Sequence, residues 1–309
     1  MGALSALTIL GAVLTGCEAS DEPRGSQVDR PAFQADRAMA HVQRQVDFGP
    51  RAPGAPGHGE QLEWMVQFLA EAGATVELDR FDYETTQADT LALTNVLARF
   101  RLGAEQRLLL LTHWDTRPKA DQARTALGRE APVPGANDGA SGTAVLLELA
   151  TLMKGQIPPI GIDLLFVDGE DYGPTTDDMF MGAERFAETR VPDGEWTYAV
   201  LLDMVGDADP LFPIEGNSAS LALSVAQRVW GIAADLGYGR YFPTRVGQAI
   251  QDDHLALNAA GLPTIDIIDF SYGPGNGYWH TPDDTVDKVS TFTLGMVGEV
   301  MAELIYRGG

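Results

Sequence analysis

Four short apolar runs constrain this chain more than anything else in it: LLLLT at 108–112, IDLLFVD at 162–168, YAVLLDM at 198–204 and PTIDIID at 263–269. Each has the length of a strand and is continuous rather than alternating. Stretches with helical spacing at 142–153, 182–188 and 219–236 separate them, and another follows at 290–306. A strand covered on both faces has no polar side to show, so such runs alternating with helices specify a largely parallel sheet with helices on both faces. Two further strands, ATVELDRF and ALTNVLARF, come earlier. Before them the spacing predicts a helix over 32–46 and a second one carrying Leu62, Met65, Val66 and Leu69 up to a stop at Gly73. The Pro/Gly-rich stretch DFGPRAPGAPGHGE between these two helices can sustain neither helix nor strand. With no internal repeat and no linker after Ala32, residues 32–309 are expected to form one α/β domain, three layers αβα around a mostly parallel, mixed central sheet.

The ionisable residues fall where such a sheet would use them. His113 and Asp115 follow the first run, Glu170 and Asp171 follow the second, and Asp203 ends the third. Ligands of open α/β sheets bind beyond the carboxyl ends of the strands, so these groups should meet in one crevice. Between the first two runs, PGANDGASGTAVLLELA at 134–150 places Asp138 in a Gly-rich turn directly ahead of an apolar helix. Read alone, Asp138 is either a helix cap or a metal ligand, and Ser141 is available as an N-cap. Loops around the last run add Gln251, Asp252, Asp253 and His254 before it, and Tyr278, Trp279 and His280 after it. His113 or His280 taken singly reads as a hydrogen-bonded structural histidine, and His254 reads as a loop stabiliser. Jointly, so many acids at one edge would repel one another unless a cation sat among them. Cys17 is the only cysteine, so no thiolate, disulfide or thiol nucleophile is available in 32–309. With Asp and His as donors, the cation expected is catalytic zinc held by three protein ligands with one position open.

Lys and Arg number 21 against 44 Asp and Glu, a net charge of −23, with no basic cluster to reverse it locally; nucleic acid and anionic lipid headgroups should be repelled. Residues 1–16, MGALSALTILGAVLTG, are apolar over a length too short to cross a bilayer and stop at Cys17. With Leu14, Thr15 and Gly16 in the place of a lipobox, this segment resembles a bacterial lipoprotein signal. The resemblance implies cleavage at Cys17, a lipid on its thiol and a tether over 17–31. It also implies an exported protein at the periplasmic face of a membrane or the cell surface, touching the membrane only through that anchor. The oligomeric state is not legible.

HWD at 113–115, PGANDGASG around Asp138, DGED at 168–171, LLDMVGD from Leu201, IQDDH from Ile250 and YWHTPDDT from Tyr278 occur in this order, preceded by FGPRAPGAPGH from Phe48. Together they resemble the zinc exopeptidase superfamily of secreted aminopeptidases and glutaminyl-peptide cyclotransferases, over nearly everything from Ala32 onward. The resemblance implies that Asp138, Asp171 and His280 hold a zinc common to both branches and that Glu170 is the general acid/base. In an aminopeptidase His113 and Asp203 would add a second zinc bridged through Asp138, with Asp115 orienting His113. In a cyclotransferase one zinc suffices, and Asp203 and Asp252 join Glu170 in an acid cluster.

Asp252 and Trp279 are what favour the cyclotransferase branch, in which Trp279 would wall the pocket for a substrate glutamine and Gln251 would line it. The substrates implied are peptide or protein N-termini. Animal cyclotransferases carry a Trp shortly after the Glu-acid pair; here the sequence reads Tyr172-Gly173-Pro174-Thr175-Thr176, so that wall is either missing or replaced by Tyr172. The acid after Glu170 is also the shorter Asp171. The segment 116–133 is expected to border the cleft, with no role assigned to it. An aminopeptidase is the second reading, and a non-catalytic peptidase-like scaffold the third, disfavoured by an intact ligand set.

Overall fold

The computed structural model describes residues 1–2 and 28–309; Cys17, nearly all of the expected signal and most of the tether lie outside the described residues. In chain order the elements are α1 (Ala35–Asp47), α2 (Pro56–Glu71), β1 (Thr75–Glu84), β2 (Thr90–Phe100), β3 (Arg107–His113), α3 (Ala126–Arg129), α4 (Ala140–Gly155) and β4 (Gly161–Val167). There follow α5 (Met181–Thr189), β5 (Ala199–Asp203), α6 (Gly216–Leu221), α7 (Leu223–Asp235), α8 (His254–Ala259), β6 (Thr264–Ile268) and α9 (Thr291–Tyr306).

The four apolar runs become β3, β4, β5 and β6, and they are the parallel part of a six-stranded sheet of order β1-β2-β4-β3-β5-β6. The β1–β2 hairpin adds antiparallel to β4 at one edge, which makes the sheet mixed. Every residue of β3, β4, β5 and β6 is buried, whereas the edge strand β1 keeps its polar sequence half-exposed. Successive side chains of β3 divide between the two cores, as the pleat requires: Leu108 and Leu110 join α1, α4, α7 and α9, and Leu109 and Leu111 join α5 and α8.

A charge inside such a strand needs a partner. Asp163 in β4 has several, accepting from Arg107 and, at 2.8 Å, from the Trp196 indole. Asp266 in β6 has none: both carboxyl oxygens are buried without a hydrogen bond.

The helical stretch expected over 219–236 is broken at Ala222 (φ −141°, ψ 38°) into α6 and α7. At the start of α6 the Glu215 carboxylate caps the helix by accepting from the Asn217 and Ser218 amides while also holding the Ile250 amide. From β3 the chain steps to β4 on one side, then returns past β3 to β5 on the other, so the sheet changes direction between β3 and β5. That switch is where an α/β sheet opens a crevice. Helix α4 starts beside it and packs hard: a Cβ on Gly142 would come within 2.3 Å of Thr112 Oγ1 and 2.4 Å of the Leu202 carbonyl. Among the described residues no helix is long and apolar enough to cross a membrane.

Candidate active site

The end of β3 and the end of β5 meet at the switch. His113 Nε2 lies 3.2 Å from Asp203 Oδ1 and 3.2 Å from Asp138 Oδ1. Burial alone would depress this imidazole, but Glu170, Asp115, Asp138 and Asp203 around it hold its pKa well above the ordinary value.

Asp138 reaches the same point because its loop is clamped from two sides. Asp284 accepts the backbone amides of Asn137 and Asp138 at 2.8 and 3.1 Å and takes the Tyr272 hydroxyl at 2.7 Å. Arg51, wholly buried, donates at 2.6 Å to each of the Pro134 and Gly135 carbonyls. Gly139 then turns the chain at φ +87°, where a Cβ would sit 2.6 Å from the Asp115 carbonyl. It is Gly139 that precedes the first residue of α4, with no side-chain cap, so neither Ser141 nor Asp138 serves as one. Ser141 instead donates to the Asn137 carbonyl and accepts from the Val205 amide, tying the loop to the end of β5.

Asp171 and His280 complete the group. His280 Nε2 is 3.2 Å from Asp171 Oδ1 and 3.6 Å from Asp138 Oδ2. Donor atoms of Asp138, Asp171 and His280 all lie within 4.8 Å of one another, and all three side chains are buried. Asp138 Oδ2 and Asp171 Oδ2 have no hydrogen-bond partner. Burial, then the neighbouring Asp171 charge, raises the Asp138 pKa; at Asp171 the His280 and Arg117 charges overcome burial and lower it. Two buried carboxylate oxygens without partners beside an imidazole nitrogen are a donor set for a cation, and one of O and N without sulfur fits zinc. His113, Asp138 and Glu170 form a second grouping of the same tightness; among the described residues Asp203 belongs to neither.

Glu170 stands beside this centre, its Oε2 3.6 Å from His113 Nδ1. Burial raises its pKa well above the usual carboxylate range; His113 opposes that, and Asp171, Asp252 and Asp253 reinforce it. Asp115 holds the turn that presents it, one oxygen accepting the Glu170 amide and the other the Asp171 amide, both at 3.2 Å. Asp115 also faces His113, its Oδ1 3.6 Å from His113 Nδ1, an ion-pair distance outside hydrogen-bond geometry. Behind Glu170 the carboxyls of Asp203, Asp252, Asp253 and Asp266 are all buried. Burial pushes Asp253 up to about 8 and Asp252 and Asp266 well above their ordinary value.

A family profile described as peptidase family M28 matches residues 95–305. The chain belongs to peptidase family M28. Among solved structures it is similar to a leucine aminopeptidase precursor from Bacteroides thetaiotaomicron, with 36% identity and a TM-score of 0.87 over 91% of this chain and 100% of that one. It is equally similar to the glutaminyl cyclase of the same organism bound to N-acetylhistamine, with 36% identity and a TM-score of 0.86 over the same shares. The glutaminyl-peptide cyclotransferase of Drosophila melanogaster is 27% identical over 316 residues, covering 90% of this chain and 84% of the fly protein.

In this M28 domain the remaining expected residues divide. Trp279 stacks on the His280 ring, centroids 3.8 Å apart, meets Phe270 edge-on, and packs with Met204, Ile268 and Tyr272. It lines a cleft of about 820 Å³ whose opposite wall is Gln122, Arg124 and Thr125 of the 116–133 segment. Gln251 is exposed and lines a different cleft, of about 580 Å³, together with Asp252, Phe180 and Leu255. Tyr172, half-buried, packs against Leu91, Leu93 and Met181 below the β1–β2 hairpin. His254 is buried 3.2 Å from Glu215, whose pKa is held down to about 2 against burial by that imidazole and by three backbone amides.

The raised acids fix how the metal-free M28 fold responds to pH. Burial raises Asp168 to about 6, Asp284 to about 7 and Asp253 to about 8, while the Asp171, Asp121 and Asp138 carboxylates overcome burial to raise His280 to about 9. Across that window the folded state binds more protons than the unfolded chain, so stability falls as pH rises. Denaturant titration in chelator should therefore show stability declining from about pH 4 to about pH 9, by about 1.4 kcal/mol per pH unit for each excess proton. Stability that rises over this range would contradict the assignment.

Proposed function

We propose that this M28 chain is a glutaminyl-peptide cyclotransferase that closes an N-terminal glutamine to pyroglutamate with release of ammonia, working with a single zinc held by Asp138, Asp171 and His280. The similarity to solved glutaminyl cyclases supports this reading, and one feature of the site carries it: the file of buried carboxyls behind Glu170. Bound at those three residues, zinc would polarise the γ-amide carbonyl of the glutamine as a Lewis acid. Glu170 takes a proton from the α-amine as its nitrogen bonds to the side-chain carboxamide carbon, Cδ, and returns a proton to the amide nitrogen as the Cδ–N bond breaks and ammonia leaves. No proton is gained or lost overall. A group that must both accept and donate works best with a raised pKa, and Asp252 and Asp253 help to hold Glu170 there. Trp279 supplies a flat apolar face beside His280 for the substrate side chain.

A single zinc is supported by the position of Asp203, which joins neither close donor grouping. The aminopeptidase reading draws on the two 3.2 Å contacts of His113 with Asp138 and Asp203, since they complete a set of two-metal ligands. Cys17 and the preceding Leu14-Thr15-Gly16 support export as a lipoprotein, with the domain tethered at the periplasmic face or cell surface. The test is to give purified protein a Gln-initiated peptide while counting bound metal. Ammonia and a pyroglutamyl peptide with one zinc per chain are expected; free glutamine with two zincs would establish the aminopeptidase instead.

A further inference from the structure

Segment 116–133 arches over the metal centre, and two of its side chains reach the residues assigned above as zinc ligands. Arg117, with a side chain only 5% exposed, donates from Nη1 to Asp171 Oδ1 at 2.7 Å and from Nε to Asp121 Oδ1 at 2.8 Å. Asp121 in turn lies 3.4 Å from His280 Nδ1, an ion-pair distance to a nitrogen that has no hydrogen-bond partner. The Gln122 amide donates to the His280 carbonyl at 3.2 Å, holding that residue in a left-handed conformation, φ 54°, that a histidine seldom adopts.

The segment is stiff enough for this. It closes on itself through Ala120 to Ala131 and Val133 to Arg117 backbone bonds, over an apolar knot of Ala120, Ala123 and Val133. Gly173 makes room for the guanidinium, since a Cβ there would lie 2.7 Å from Arg117 Nη2.

We propose that Arg117 and Asp121 are positioning residues for the metal, a relay from the 116–133 segment that sets the donor atoms of Asp171 and His280. Arg117 occupies one oxygen of Asp171 and leaves Oδ2 as the free donor. Asp121, facing Nδ1, selects the imidazole tautomer whose proton points outward, so that the Nε2 lone pair faces Asp138 and Asp171. Carboxylates behind metal-bound histidines act in this way, and their removal weakens metal binding 10- to 100-fold as a rule. The 116–133 segment is thereby part of the metal centre as well as a wall of the Trp279 cleft.

The inference rests on the ligand assignment, so the test measures both. Zinc dissociation constants by chelator competition, and the visible spectrum of the cobalt-substituted protein, are compared for wild type, Asp171→Ala, Asp121→Asn, Arg117→Met and the surface control Lys119→Ala. Asp121→Asn and Arg117→Met should weaken zinc by on the order of 10-fold to 100-fold and shift the cobalt bands, with the metal-free melting temperature of Asp121→Asn and all properties of Lys119→Ala unchanged. Zinc affinity within twofold of wild type, or a loss matched by an equal loss of metal-free stability, overturns the relay. Should Arg117→Met fail to fold, the half-exposed Asp121→Asn decides alone. Wild-type affinity in Asp171→Ala would mean that the ligand assignment itself is wrong.

Discussion

Glu170→Gln is expected to lower kcat on a Gln-initiated peptide by on the order of 10³-fold, about 4 kcal/mol of transition-state stabilisation, while zinc stays bound. The substitution keeps the side-chain volume and removes only the capacity to take up and release a proton. It leaves untouched the two amides by which Asp115 holds the turn, so the position of Asp171 should not move. KM should change little, because the loss falls on the proton transfer rather than on binding. Single-turnover kinetics with metal analysis on the same sample checks this, and a rate within tenfold of wild type would remove Glu170 from the chemistry.

Asp138→Ala should have the other large effect, on metal binding and, through it, on turnover. Asp138 is the one residue common to both donor groupings, so no arrangement of one zinc or two survives its loss. Removing one of three ligands is expected to weaken zinc by at least about 10³-fold. The metal-free protein should not suffer: its loop is held by Arg51 and Asp284 through backbone atoms, and a carboxylate that burial and Asp171 disfavour is gone. Calorimetric titration with zinc beside a metal-free melt separates the two effects. His113→Ala is the informative companion, since one zinc should remain under the cyclotransferase reading.

Much of this site is legible in the order of residues, and the reason is topological. His113, Glu170, Asp171 and Asp203 close or follow buried strands, and parallel strands place their carboxyl ends along one edge whatever the loops do. Asp138 is legible through the glycines that surround it. The supporting residues are not, because their partners are remote: nothing near Arg51 in sequence announces the Pro134 and Gly135 carbonyls, and nothing near Asp284 announces the amides of Asn137 and Asp138. Asp266 did leave a signal, a charge inside an otherwise apolar run, but Asp163 leaves the same one and is an ordinary ion pair with Arg107. Only the tertiary neighbourhood separates a paired acid from an unpaired one.

The clamp on the Asp138 loop carries a consequence for how the protein matures. Arg51 comes from the first tenth or so of the domain and Asp284 from near its end, and the loop between them is fixed only when both have docked. Long sequence separations of this kind close late in folding. A chain synthesised only through β4 and the turn after it would already carry Asp138 and Asp171, yet would lack Asp284, His280 and the strand that brings them in. With the proposed ligand set, zinc capture would be tied to completion of synthesis, and metal occupancy would mark a finished molecule.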